Sequence, residues 1–493
     1  MTFLQIIGCQ RAGPHPEENV VPVPSTVASA PSTVLPGNAA PGPPAGIRSM
    51  LRTLRGMTGD RLTFVTQMQR TYGPIVRIPA GKISAFLISD PDSIKEILVT
   101  SKKVFEKGTA RRERDGSQVI DDPLSRVLGK GLLTSTGTLH RNQRRLMQPL
   151  FHRQRIEAYG STFVDLTRTM TAGWVAGSRI DVHQEMTELT LAIVAQTLFD
   201  AGIDSEVARV VRTALVSSME IGRIAQIQPG GFLERLPVPS IQRARRSREA
   251  LDRVVVDLIR QRRTSGSAGS DLLSLLTATQ DADSGAVMDD TQVRDEAMTL
   301  LLAGHETTSN ALCWTFHLLG QNQDARATLH AELDAVLEGR PATVDDLPRL
   351  AWTNAVFSES MRLYPPVWAI GRHLLVDHEL CGYLLPAGAT VFMCPWVVHR
   401  DPGLWPEALS FAPSRWLPGQ TDPNRPRNAY FPFGGGSRQC IGNNFAHMEG
   451  VLALATIAQN WTLEPVPGVT IEPEPLLTLR PRGGLPMVAH LRR

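Results

Sequence analysis

The chain is short of most features that assign a protein at a glance. It has five cysteines in 493 residues, Cys9, Cys313, Cys381, Cys394 and Cys440. Their number is odd, their spacing is scattered, and no CxxC pair occurs. A disulfide framework or zinc site is therefore not expected, and a reducing, cytoplasmic setting fits. Cys313, Cys381 and Cys394 lie among apolar residues and read as small buried hydrophobes. Net charge is scarce too: 51 basic against 48 acidic residues leave a formal +3. That balance gives no reason to expect nucleic acid or another polyanion as a partner. Long apolar runs are missing. The opening MTFLQIIGCQ is too short for a bilayer span and lacks the basic start of a secretory signal, so no membrane anchor is expected. No internal repeat is visible.

What is present is an ordinary globular composition, 42% hydrophobic and 20% charged. Residues 1–46 hold nine prolines among Ala, Ser, Thr and Val and end in Pro41-Gly42-Pro43-Pro44. They read as an extended leader. One domain is expected over 47–493. Apolar residues recur at helical spacing through 61–72, 160–175, 185–200, 205–220, 240–262 and 291–321. Strand-like pieces are short: Ile75–Ile78, Ile83–Ile88, Thr390–Met393 and Leu476–Leu479. The expected class is mainly α with small β-sheets, and the core is large enough to enclose a cofactor. The Gly- and Pro-rich stretch 402–439 is too long for an idle loop and should be functional or tightly packed.

The most informative segment is Phe433-Gly434-Gly435-Gly436-Ser437-Arg438-Gln439-Cys440-Ile441-Gly442. Three glycines allow backbone angles and close approaches that side chains forbid. Such a loop can turn amide N–H groups toward a sulfur and stabilise a thiolate. Arg438 adds positive charge, and the helical pattern after Gly442 puts Cys440 near a helix N-terminus, where negative charge is favoured. The plain alternative is a glycine-rich loop with a buried free thiol.

The segment resembles the F-x-x-G-x-R-x-C-x-G pattern of the cytochrome P450 monooxygenases, matched at Phe433, Gly436, Arg438, Cys440 and Gly442. The resemblance runs from about 47 to 490 and implies one haem-enclosing domain. It makes Cys440 the axial thiolate of haem b, with Phe433 and Gly434 in the cofactor site.

Two further segments fall in the family's order. Glu359 and Arg362 are three apart on a helix expected over Asn354–Leu363, which Tyr364-Pro365-Pro366 ends. Alone, such a pair is common on solvated helices. Phe411-Ala412-Pro413-Ser414-Arg415-Trp416 resembles the family's F-x-P-E-R-F segment, with Ser414 and Trp416 as departures. The resemblance implies that Glu359, Arg362 and Arg415 form a buried charge network with a role in folding and haem retention.

A long helix is expected from Thr291 to about Gln321, capped by Asp289 or Asp290. Ala303-Gly304-His305-Glu306-Thr307-Thr308 stands in its middle. Small residues there let something flat approach, and Gly and Thr are poor choices inside a helix. Taken alone, Glu306 reads as a solvated carboxylate and Thr307 as a packing residue. The stretch resembles the family's [AG]-G-x-[DE]-T-[TS] motif. That implies that Thr307 steadies the oxygen being activated and that Glu306 feeds protons to it. His305 has no role in that pattern.

By the same resemblance, His140 and Arg144 of the basic segment 139–145 would pair with the haem propionates, as would Arg372 and Arg438. Arg141 and Arg145 read as solvated or partner-facing, and basic residues there would steer an acidic electron donor. Pocket candidates are Leu301, Leu302, Ala303 and Thr307 on the long helix. Others are Pro366, Val367, Trp368, Ala369 and Ile370 after the Glu–Arg helix, with Leu477 and Thr478 near the C-terminus and loop 104–130 as a cover. This lining is mainly apolar. The implied reaction inserts one atom of O2 into a hydrophobic small molecule such as a terpenoid, fatty acid, steroid or polyketide. Electrons would come from NAD(P)H through a separate ferredoxin and ferredoxin reductase, to a monomeric enzyme. A peroxide-dependent or isomerase-type enzyme and a non-enzymatic haem sensor are the rivals. The Glu306–Thr307 pair speaks against both.

Overall fold

Helices with wide apolar faces must bury them against one another, and this chain does so around one central helix. A computed structural model describes residues 39–44, 46–80, 83–101, 103–112, 118–121, 124–200, 210, 213, 239–265, 271–280, 285, 287–420 and 422–492. Most of the leader and most of the expected helix 205–220 lie outside them. Seven helices matter below: α1 (Ile47–Thr58), α2 (Arg61–Tyr72), α3 (Gly137–Met147), α4 (Val182–Phe199), α5 (Asp290–Gln321), α6 (Ala351–Leu363) and α7 (Asn443–Asn460). The Asp289 carboxylate caps α5 by accepting from the Gln292 N–H at 2.7 Å. The largest core cluster joins α4 (Ile193, Leu198), α5 (Leu312, Phe316) and α7 (Leu452, Leu454). Among the described residues no helix is long and apolar enough to cross a membrane.

The main sheet has five short strands, β1 (Ile75–Ala80), β2 (Ile83–Ile88), β3 (Phe105–Glu106), β4 (Ile370–Leu374) and β5 (Thr390–Met393). Their spatial order is β1-β2-β5-β4-β3, and only β2 and β5 run parallel. Glu106 pairs with His373, which brings the β3 edge beside Arg372. The chain is packed earlier than its composition suggests: Ala40 is buried, and the Arg77 N–H donates to the Pro41 carbonyl at 2.7 Å. Leu476–Leu479 is not a strand. The hairpin strands are Pro473–Pro475 and Leu479–Pro481, and residues 476–478 turn between them. Within loop 104–130, Thr109–Arg112 and Gln118–Asp121 form a small antiparallel hairpin. Cys381 is exposed with φ of 50°, in a tight turn, and not the buried hydrophobe its neighbours suggest.

Buried acids on α5 hold the segment that leads into the site. The Asp295 carboxylate accepts the Lys130 N–H at 2.6 Å, and Glu296 accepts the Leu132 N–H at 2.8 Å. Gly129 has φ of 75° and lies so close that a Cβ would sit 2.1 Å from the Asp295 carboxylate. Burial pushes the Glu296 carboxyl from its ordinary 4.5 up to about 8, against the pull of the Leu132 N–H. Folded protein therefore keeps this proton where unfolded chain has lost it. The group's contribution to stability is full below about pH 4.5 and falls as pH rises toward about 8. Glu296→Gln keeps the carbonyl acceptor without that loss. Its melting temperature is expected to decline less than that of the parent between about pH 5 and pH 8. Parallel declines in thermal unfolding curves would show that Glu296 is already ionised in the fold.

Candidate active site

The cysteine loop is held by its own backbone and by a neighbouring turn. The Cys440 N–H donates to the Phe433 carbonyl at 2.9 Å, and Gly442 caps α7. Gly434 and Gly436 have φ of 68° and 65°. At Gly436 a Cβ would lie 1.8 Å from the Leu98 carbonyl oxygen, so only glycine fits between the loop and the turn Glu96–Thr100. Burial raises the Cys440 thiol pKa, while the Gly442 N–H and the Arg144 charge pull it down. Cys440 nonetheless keeps accessible surface. A cysteine that is desolvated and still accessible lines a recess.

Four cationic or donor side chains converge beside it. His140 and Arg144 sit one turn apart on α3, Arg372 lies on β4, and Arg438 belongs to the loop. Arg144 donates to the Gln439 carbonyl. Arg438 donates to the Ser135 carbonyl and to Glu106, both at 2.7 Å. Burial, then the charges of Arg438, Arg144, Lys107 and Arg372, push the His140 pKa down to about 3. Its ring is therefore neutral at pH 7 and offers one N–H. Arg372 is 7% exposed, and burial with the Arg438 charge lowers its pKa to about 10, against the pull of Glu106. Among the described residues Arg372 makes no ion pair and donates only to its neighbour, the Gly371 carbonyl. Such an excess of buried positive charge over one carboxylate calls for an anionic ligand. A dianionic haem with its iron on Cys440 fits this donor set. Glu106 and Lys107 belong to this cluster and went unnoticed in sequence, because nothing marks a two-residue strand.

The long α5 is largely buried, but Leu300, Ala303 and Thr307 keep open surface at helical spacing. Thr307 Oγ1 donates to the Ala303 carbonyl at 2.8 Å. Glu306 is half-buried, and its Oε1 accepts from Thr478 Oγ1 at 2.7 Å. Thr478 in turn accepts from Asn310 at 3.1 Å. Gly304 is small for a different reason from the one expected. A Cβ there would meet Val194 of α4 at 3.1 Å, so the glycine serves helix packing. His305 is buried with Nδ1 against the Leu301 carbonyl at 3.0 Å. Glu449 of α7 is wholly buried, which raises its carboxyl well above the usual range, with the Thr308 hydroxyl as neighbour.

The pocket candidates separate. Leu302, Val367, Ala369 and Ile370 are half-buried, and Ile370 Cδ1 is 3.7 Å from the Cβ position of Gly434. Leu301 does not belong with them: it is 1% exposed and packs in the main core, one residue around the helix from Leu300. Trp368 is packed with Leu62 and Leu479, its indole N–H on the Leu476 carbonyl at 2.9 Å. Leu477, at the hairpin turn, is 55% exposed.

Behind the cysteine loop, Glu359 and Arg362 are both 0% exposed. Arg362 uses all five of its N–H donors. Two reach Glu359 at 2.8 Å, and three reach the carbonyls of His399, Ala408 and Ser410 at 2.7, 2.7 and 3.0 Å. Glu359 also accepts from Arg415 and the Ala412 N–H at 3.0 Å and from the Trp416 indole at 2.8 Å. Trp416 departs from the family segment, and the structure gives it a place as a donor to the buried carboxylate.

The architecture is that of a haem-enclosing oxygenase domain. It superposes on the crystal structure of the cytochrome P450DA heme domain with a TM-score of 0.79 at 24% identity, over 92% of this chain and 98% of that one. The chain belongs to the cytochrome P450 family, whose profile matches residues 41–485. Cyclooctatin synthase of Streptomyces melanosporofaciens is 39% identical over 85% of this chain and 89% of its own length. Cyclooctat-9-en-7-ol 5-monooxygenase of the same organism is 38% identical over 85% and 89%. Pentalenene oxygenase of Streptomyces avermitilis is 36% identical over 83% and 88%. The chain is a monooxygenase of this family.

Trp416→Phe removes one donor to the buried carboxylate and is expected to cost about 1–3 kcal/mol. Glu359→Ala strands two arginines and should cost more, about 3–5 kcal/mol. Denaturant unfolding of both variants checks the order, and an unchanged midpoint for Trp416→Phe would remove the indole from the network.

Proposed function

We propose that this enzyme holds haem b through the Cys440 thiolate and hydroxylates or epoxidises a hydrophobic small molecule, a terpenoid before a fatty acid, steroid or polyketide. The observation that carries the reading is the convergence of His140, Arg144, Arg372 and Arg438 beside an accessible Cys440. Relatives named for cyclooctatin and pentalenene support the terpenoid choice. When bound, thiolate-ligated haem supplies the oxygen-splitting redox chemistry.

The chain's own residues set position and protons. Arg144, Arg372 and Arg438, with the His140 N–H, would fix the two propionates and so the cofactor's orientation. Thr307 Oγ1 donates its O–H in a hydrogen bond to the Ala303 carbonyl, which leaves its lone pairs to accept from a water. Glu306 is held by Thr478 and keeps a surface from which a proton can pass to that water. Leu300, Leu302, Ala303, Val367 and Ile370 would surround the substrate with apolar groups and leave its orientation to shape. Two electrons would arrive from NAD(P)H through a ferredoxin and its reductase in the cytoplasm. The groove lined by Arg141, Arg144, Arg145 and His152 together with Gln439 of the cysteine loop suits an acidic donor.

The reduced protein with CO is expected to show the red-shifted Soret band of a thiolate ligand, and Cys440→Ala to lose it. Retention of that band in Cys440→Ala would sink the assignment. Thr307→Ala is expected to keep the band but release hydrogen peroxide, with product per NAD(P)H down about tenfold or more. Unchanged coupling would deny Thr307 a part in proton delivery. Turnover on peroxide alone at the same rate would favour the peroxide-dependent class. Spectral titration with terpenes, fatty acids and steroids sorts the substrate classes.

A further inference from the structure

Helix α1 is turned inside out. Its sequence, Ile47 to Thr58, divides into three stripes at about 100° per residue. The stripe that packs on the body is mostly small or polar: Thr53 is 6% exposed and Ser49 is half-buried, with Met57 at the far end as its one large apolar contact. Gly56 lies so close to α2 that a Cβ would be 2.3 Å from the Phe64 ring. The apolar stripe points outward. Ile47, Met50, Leu51 and Leu54, at helical spacing, are 74%, 40%, 56% and 40% exposed. Beside it runs a third stripe of Arg48, Arg52 and Arg55, all exposed, and the helix contains no acid.

Ordinary surface helices bury their apolar face and show their polar one. Four large hydrophobic side chains side by side on a face that no described residue covers mark an interaction site. An apolar stripe flanked only by arginines matches the interface of an anionic bilayer, where acyl chains lie beneath phosphate groups. A second copy of α1 is a poor match, since it would bring arginines against arginines with no acid between them. Nucleic acid would leave the apolar stripe without a counterpart.

We propose that α1 docks this enzyme onto anionic lipid surfaces, with Ile47, Met50, Leu51 and Leu54 entering the headgroup–acyl boundary and Arg48, Arg52 and Arg55 on the headgroups. The helix contains no span and lies in the plane of the interface. Its far end is tied to the site. Arg61 donates to the Met57 carbonyl at 2.8 Å and to the Pro475 carbonyl at 3.1 Å. That links α1 to the hairpin that carries the exposed Leu477 and the Thr478 that bonds Glu306. The docked face thus adjoins an element of the site, which suits a substrate that partitions into lipid.

The test is co-sedimentation of the full-length holoenzyme with vesicles of phosphatidylcholine alone and of phosphatidylcholine mixed with phosphatidylglycerol. Binding is expected to the mixed vesicles, to weaken with salt, and to fall about tenfold or more in the double variant Leu51→Gln/Leu54→Gln. The triple variant Arg48→Gln/Arg52→Gln/Arg55→Gln should lose the preference for phosphatidylglycerol. Both variants should keep the CO-bound Soret band, which shows that the fold and site are intact. No binding of the parent to mixed vesicles overturns the proposal. So does equal binding by parent and Leu51→Gln/Leu54→Gln. A parent dimer that this variant converts to monomer, by size-exclusion chromatography, would overturn it in favour of self-association.

Discussion

The site rests on one buried ion pair. Arg362 and Glu359 face each other bidentately from a single turn of α6, and both are fully buried. Each is costly to bury alone, so both must be satisfied by something else as well. What satisfies them is the irregular chain that follows. Three carbonyls between 399 and 410 accept from Arg362, and the backbone and side chains of 412–416 donate to Glu359. A long segment with almost no regular structure is thereby fixed, and the cysteine loop continues from it. Rigidity here comes from hydrogen bonds to charge and not from a ladder of strands.

Charge is managed differently on the other side of that loop. There the cations outnumber the carboxylates, and burial, with nearby positive charge, keeps His140 neutral. The fold spends stability to hold like charges together, a common trait of sites built for an anionic ligand. The acid side of the cavity is sparer. Glu306 relies on Thr478 from the C-terminal hairpin, so distant parts of the chain meet at one carboxylate.

Much of this was legible in the sequence where a residue type has few alternatives. The triple glycine, the prolines after Leu363 and the capped start of α5 mark backbone constraints, and α2, β2 and β5 fall where their patterns put them. The errors have physical causes. Leu301 and Leu300 look alike in a list, but one step around a helix takes a side chain from half-buried to fully buried. Pro473–Pro475 lacks any strand pattern, so the hairpin was displaced onto its own turn. Trp416 looked like a mere departure, because nothing local shows that its indole meets a carboxylate from α6. The exposed stripe of α1 was invisible for a similar reason: amphipathicity shows that a helix has two faces, not which one the body takes.

The parallel pairing of β2 with β5 sets Ala85 against Thr390, across more than half of the chain. Contacts of that span carry a heavy loop-closure cost, so they gain most once the intervening helices have collapsed. Arg372 lies on the strand next to β5, opposite Val391. The cationic cluster gathers residues from α3, β4 and the cysteine loop, so it exists only in the assembled fold. An unfolded chain keeps those charges apart, so the repulsion among them is a cost that the folded state alone carries.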